Sequence, residues 1–96
     1  MRPARFVRRR MQNKPKNRLV AVDFDGTLVA HRWPKIGEEL PLAVTTLREL
    51  IYEEKCDIVL WTSRTGADLD AAIAWCDRRF PLFAINRNPD RKSTRL

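Results

Sequence analysis

The sequence predicts a three-layer α/β fold on a small parallel sheet, with about three strands, two helices and no cap domain. Three observations carry that prediction. Apolar runs of strand length recur at residues 19–24, 56–62 and 82–86. Segments with helical apolar spacing separate them, and polar residues gather after each run rather than before it. Strands covered on both faces read as unbroken apolar runs, and helical crossovers join such strands in parallel.

Taken in order, residues 19–24 form the first strand, apolar except for Asp23. Residues 27–37 carry Pro34 and Gly37 and keep no steady period, which predicts a connecting loop with a short hairpin. Pro41 suits a first helical turn. Leu40, Val44, Leu47 and Ile51 then repeat at helical spacing, with Ala43 and Leu50 widening the face. Glu38 and Glu39 lie near the positive end of that helix and Lys55 near its negative end. "CDIVLWT" is the second buried strand. Thr65 is positioned to cap the second helix, with Asp68 as the returning acid of a capping box. Leu69, Ala72, Ile73, Cys76 and Phe80 give its apolar stripe, and Arg78 and Arg79 close its last turn. Pro81 stops the helix, and "LFAIN" is the third strand of a Rossmann-like sheet.

Ninety-six residues with 44% apolar content suit one small domain with a modest core and exclude wholesale disorder. The net charge of +7 is unevenly spread: residues 1–18 hold eight basic residues and no acid, while the remainder is close to neutral. The chain therefore divides into a basic, disordered tail at 1–18, a folded domain at 19–89 and a polar C-terminal tail at 90–96. The tail's charge suits nucleic acid as a partner, against the plainer reading of a solvated extension. The longest aliphatic runs, four residues each at 19–22 and 58–61, are too short to cross a membrane, and "MRPARFVRRR" lacks the apolar segment of a secretory signal. Cys56 and Cys76 are far apart and sit among apolar neighbours, as reduced thiols of a cytoplasmic protein do.

Parallel sheets bind ligands beyond the carboxyl ends of their strands. Asp23-Phe24-Asp25-Gly26-Thr27 follows the first strand, Thr62-Ser63-Arg64 the second and Asn86-Arg87-Asn88 the third. Two carboxylates one residue apart repel, unless they end in a plain solvated Asp-Gly turn or a hard cation bridges them. Mg²⁺ is held by one or two carboxylates, with water and substrate phosphate completing its shell. Asp23 and Asp25 are thus the candidate metal ligands and the candidate catalytic pair. Asp23 is the nucleophile that forms an acyl phosphate, and Asp25 is the acid and base. Gly26 permits a tight turn and close backbone approach to phosphate. Thr62 and Ser63 offer hydroxyls and amides just before a helix N-terminus, and Arg64 offers a bidentate fork. His31, the single histidine, reads as a surface residue near substrate. Trp33, Trp61 and Trp75 are too scattered in sequence for a stacking platform.

"DFDGTL" after an apolar strand resembles the first motif of the haloacid dehalogenase-like (HAD) phosphohydrolases. Thr62, closing "DIVLWT", is similar to their second motif. "LWTSRTG" and "NRNP" resemble small, nearly capless members from bacteria and phages. The resemblance implies that Asp23 is nucleophile and metal ligand, that Asp25 is acid/base and lends a backbone oxygen to the metal, and that Thr62 binds phosphate. It also implies a third-motif lysine and an acidic fourth motif after a further strand. Here no acid follows Asp90, Lys92 is the one downstream lysine, and no strand is legible after Ile85. The expectation is a Mg²⁺-dependent phosphomonoester hydrolase cut short before the fourth motif, with its third strand at an unprotected edge. The alternative is a non-catalytic HAD-derived domain whose basic tail binds nucleic acid or a protein partner.

Overall fold

In the computed structural model, residues 18–87 and 93–95 are described. The elements run β1 (Arg18–Asp23), α1 (Ala43–Tyr52), β2 (Cys56–Trp61), α2 (Gly66–Asp77), β3 (Ala84–Ile85) and β4 (Ser93–Arg95). They form one parallel sheet of order β3-β2-β1-β4. This is a small Rossmann-like α/β fold, with the three strands and two helices of the sequence reading in their predicted order.

Two boundaries move. Arg18 opens β1 instead of ending the basic tail, and the rest of that tail, residues 1–17, lies outside the described residues. Residues 93–95, read from composition as part of a polar tail, form β4 beside β1, with Ser93 opposite Leu19 and Arg95 opposite Ala21. Three polar residues show no periodicity, so only pairing reveals this strand. β4 joins the β1 side of the sheet, leaving β3 as the opposite outer strand, as predicted. Asn88 and Lys92 lie outside the described residues.

The strand alternation sorts the core. Val20, Val22, Ile58 and Leu60 pack with Val44 and Leu47 of α1 and with Ala72, Ile73 and Cys76 of α2, so both helices share one cluster. Leu19, Val59 and Ala84 form a smaller second cluster with Trp61 and Phe83. Trp75, off the predicted stripe, is buried too and meets Phe24 edge-on with centroids 5.6 Å apart. The Arg79 guanidinium lies 3.9 Å from the centroid of the Trp75 ring and donates to the Trp75 carbonyl, meeting the negative end of α2 as the sequence implies. Arg48 donates to the Arg79 carbonyl, tying α1 to the exit of α2. Cys56 and Cys76 are buried thiols not joined in a disulfide. Among the described residues no helix is long and apolar enough to cross a membrane.

Between β1 and α1 the predicted hairpin forms. The amides of Thr27, Leu28 and Val29 converge on the Phe24 carbonyl, and Val29 then pairs antiparallel with Glu39. Ala30 donates to the Glu38 carbonyl and Leu40 to that of Leu28, at 2.8 and 2.9 Å. Buried Leu28 and Val29 anchor this hairpin to the core. Its two arms approach so closely that a Cβ on Gly37 would overlap the Ala30 carbonyl. Helix α1 begins later than Pro41 suggests, because Leu42 stands at its N-cap in the left-handed region (φ 64°) without a side-chain cap. Thr65 does take the N-cap of α2, but its hydroxyl makes no cap bond, so the predicted capping box is not formed.

Gly37→Ala should force the hairpin arms apart and lower stability by about 1–3 kcal/mol, read as the urea midpoint. Leu42→Asn should raise it by about 1 kcal/mol, since asparagine tolerates the left-handed region and caps helices well. An unchanged midpoint in either variant would contradict the backbone geometry given above.

Candidate active site

Because Asp23 pairs in register with Trp61, β1 and β2 finish level and present their following residues side by side. An open cavity of about 480 Å³ lies at this edge. Asp23, Phe24 and Asp25 line it from the end of β1, and Thr62, Ser63 and Arg64 from the end of β2. The topology thus brings together five of the six site residues read from the sequence: Asp23, Asp25, Thr62, Ser63 and Arg64.

The sixth, Gly26, is not on the cavity wall. Its φ of 88° turns the chain, and its amide donates to the Val29 carbonyl at 2.7 Å. The tight turn that a glycine permits here is therefore formed, with its amide used inside it.

Arg64 departs further from its predicted part. It is 3% exposed, and its fork closes on a residue of the protein itself. Nε donates to Asp25 Oδ2 at 2.7 Å and Nη2 to Oδ1 at 2.8 Å. Nη1 donates to the Pro34 carbonyl and Nη2 also to that of Lys35, at 3.1 and 2.9 Å. The guanidinium carbon lies 5.1 Å from the Phe24 ring centroid. A buried guanidinium requires a partner for its charge and its hydrogens, and Asp25 with two hairpin carbonyls supplies them. The assignment of Arg64 to phosphate therefore gives way to one in which it positions Asp25. The hydrogen bond from Arg64 holds the Asp25 carboxyl below its ordinary value near 3.8, against the opposing effect of burial. The same bond raises Arg64.

The β2–α2 turn is fixed by a residue whose role the sequence left open. Asn86, after β3, has φ 49° and accepts the Thr62 amide on its side-chain oxygen at 2.8 Å. Its own amide donates to the Leu60 carbonyl. Thr62 Oγ1 accepts the Arg64 amide at 3.1 Å, so its hydroxyl hydrogen is what Thr62 can offer an anion. An asparagine just past a strand is a recognisable sign of left-handed backbone, but its partner lies 24 residues away and has no sequence signature.

His31 is exposed on the cavity wall, as its sequence reading implies. Trp33 and Trp61, separate in sequence, line the same cavity, and Trp61 also packs at the sheet against Leu19, Val59 and Ala84. Asp68, read as a capping acid, also lines it. Among the described residues no group of three or more histidine, cysteine, aspartate or glutamate side chains is disposed to hold a metal.

No family model and no curated protein matches the chain. It is similar to a solved structure of a conserved protein coded by a locus from Bacteroides thetaiotaomicron, with 47% identity and a TM-score of 0.69. The match covers 79% of this chain and 63% of that one, so the chain spans under two thirds of that protein's length.

Arg64→Met should destabilise the domain by about 3 kcal/mol, because it strands a shielded carboxylate. The pair also sets an acid limb. The folded-state Asp25 titrates below 3.8, so its contribution is complete above about pH 4 and is lost as pH falls further. Urea unfolding followed from about pH 7 down to pH 3 should show that loss in the wild type and a flatter profile in Arg64→Met.

Proposed function

We propose that the protein is a phosphomonoester hydrolase working through an aspartyl-phosphate, dependent on Mg²⁺ and related to the HAD phosphohydrolases. The observation that carries this reading is one cavity, at the carboxyl ends of two adjacent parallel strands, holding Asp23, Asp25 and Thr62 together.

Asp23 is the nucleophile. A carboxylate oxygen attacks phosphorus, the bond to the leaving oxygen breaks, and that oxygen takes its proton from solvent in the open cavity, because the Arg64 fork holds Asp25 ionised and displaces it from the acid role expected of it. Water then attacks phosphorus, the bond to Asp23 breaks, and Asp25 takes the proton from water. The Arg64 fork keeps Asp25 ionised and fixed in direction, the form that accepts a proton. The Thr62 hydroxyl and the Ser63 side chain are the phosphate donors.

The donor chemistry fits a hard cation of low protein-ligand count. Asp23 supplies a carboxylate, whereas both oxygens of the Asp25 carboxylate are held by Arg64. The turn amides converge on the carbonyl of Phe24 rather than that of Asp25, which suits the backbone contribution that the family resemblance implies for Asp25. The ion would neutralise charge on the phosphate and favour ionised Asp23.

Hydrolysis of p-nitrophenyl phosphate should require Mg²⁺, cease on chelation and fall at least about 10³-fold in Asp23→Asn. Asp25→Asn should slow release of the phosphoryl group, so that ³²P-labelled enzyme accumulates relative to wild type. Turnover unaffected by Asp23→Asn would refute the nucleophile assignment. No turnover in any form would favour the non-catalytic alternative.

A further inference from the structure

The wall of the cavity beyond the aspartates carries more aromatic surface than phosphate binding requires. Trp33 is 56% exposed, on the hairpin that leaves β1, and lines the cavity. Trp61, half-buried against Leu19, Val59 and Ala84, ends β2 on the same cavity, and His31 adds a third ring. The three come from two separate segments, joined only by the fold. An exposed tryptophan leaves a large apolar face in water, a cost recovered when a flat ligand covers it.

Charge narrows what that ligand can be. Among the described residues Arg64 is the one guanidinium on the wall, and Asp25, Pro34 and Lys35 engage four of its five N–H donors. Asp68 adds a carboxylate near the same space. A second phosphate beside Asp25 and Asp68 would meet negative charge, which disfavours di- and triphosphates. A neutral ring bearing N–H or O–H donors meets both surfaces, since tryptophan faces stack on it and Asp68 accepts its hydrogens. The cavity's 480 Å³ is within the roughly 300–1,000 Å³ of small-ligand sites, leaving room for a group well beyond phosphate.

We infer that Trp33 and Trp61 form a subsite for a planar aromatic ring on the substrate's leaving-group side, so that the preferred substrates are aryl phosphates and, in a cell, nucleoside monophosphates. This rests on the phosphomonoesterase reading for the reaction, but the ring-binding step can be read without turnover.

The full chain with Mg²⁺ is assayed on adenosine 5′-monophosphate, phenyl phosphate and glycerol 2-phosphate. Wild type should favour the two aromatic esters in kcat/KM. In Trp33→Ala that preference over glycerol 2-phosphate should fall about tenfold, mainly through KM, and Trp33→Phe should restore most of it. Preference for adenosine 5′-monophosphate over phenyl phosphate would identify the nucleoside as the source of the ring. Separately, adenosine 5′-monophosphate titrated into Asp23→Asn should quench tryptophan fluorescence saturably, and an added Trp33→Ala change should remove most of that quench. Equal preference for all three esters, or selectivity and quench indifferent to Trp33, overturns the subsite. Saturable, Trp33-dependent quench without hydrolysis of any ester upholds the subsite and overturns the phosphatase reading instead.

Discussion

Everything at the open end of this sheet is organised around one buried guanidinium. Arg64 has left water and must satisfy a positive charge and its N–H groups inside the protein. It does so by gripping the carboxylate of Asp25 from β1 and two carbonyls from the hairpin, while the Phe24 ring lies beneath it. Three segments distant in sequence thereby share one anchor. Without it, nothing in the local propensities of residues 30–38 would hold that hairpin against the cavity, since its own cross-arm pairing is short.

The rest of the fold supplies level ground for that anchor. In-register pairing of β1 with β2 brings Asp23 beside Trp61, and the Phe24–Trp75 contact fixes the first residue of the following turn from below. Asn86 closes the third side by holding the Thr62 amide. The loop after β1 is thus tied to that after β2, and the loop after β2 to that after β3, by polar bonds near 2.8 Å, so the edge behaves as a linked row of turns. Such linkage suits a site whose groups must keep fixed mutual directions.

Much of this was legible in the sequence, for physical reasons. Val20, Val22, Ile58 and Leu60 are surrounded by apolar atoms, so the strands had to read as unbroken apolar runs. The helices bury one stripe and therefore show a period. Asp23, Asp25 and Thr62 followed from their positions after strands. What was hidden depends on long-range pairing. An arginine after a strand looks the same whether it faces solvent or a buried carboxylate, so the role of Arg64 could not be read locally. Trp33 and Trp61 are 28 positions apart and reach one cavity only because the hairpin folds back. Ser93–Arg95 has no apolar pattern and is a strand only by virtue of its neighbour, β1.

The tip of the hairpin meets Arg64 through main-chain oxygens, those of Pro34 and Lys35, while Leu28, Val29 and Ile36 seat its arms on the core. Any residue presents a carbonyl. The tip can therefore exchange the groups it shows to the cavity while its attachment stays intact. This architecture separates where the loop sits from what it presents, so residues at the tip can change without moving the strand ends below it.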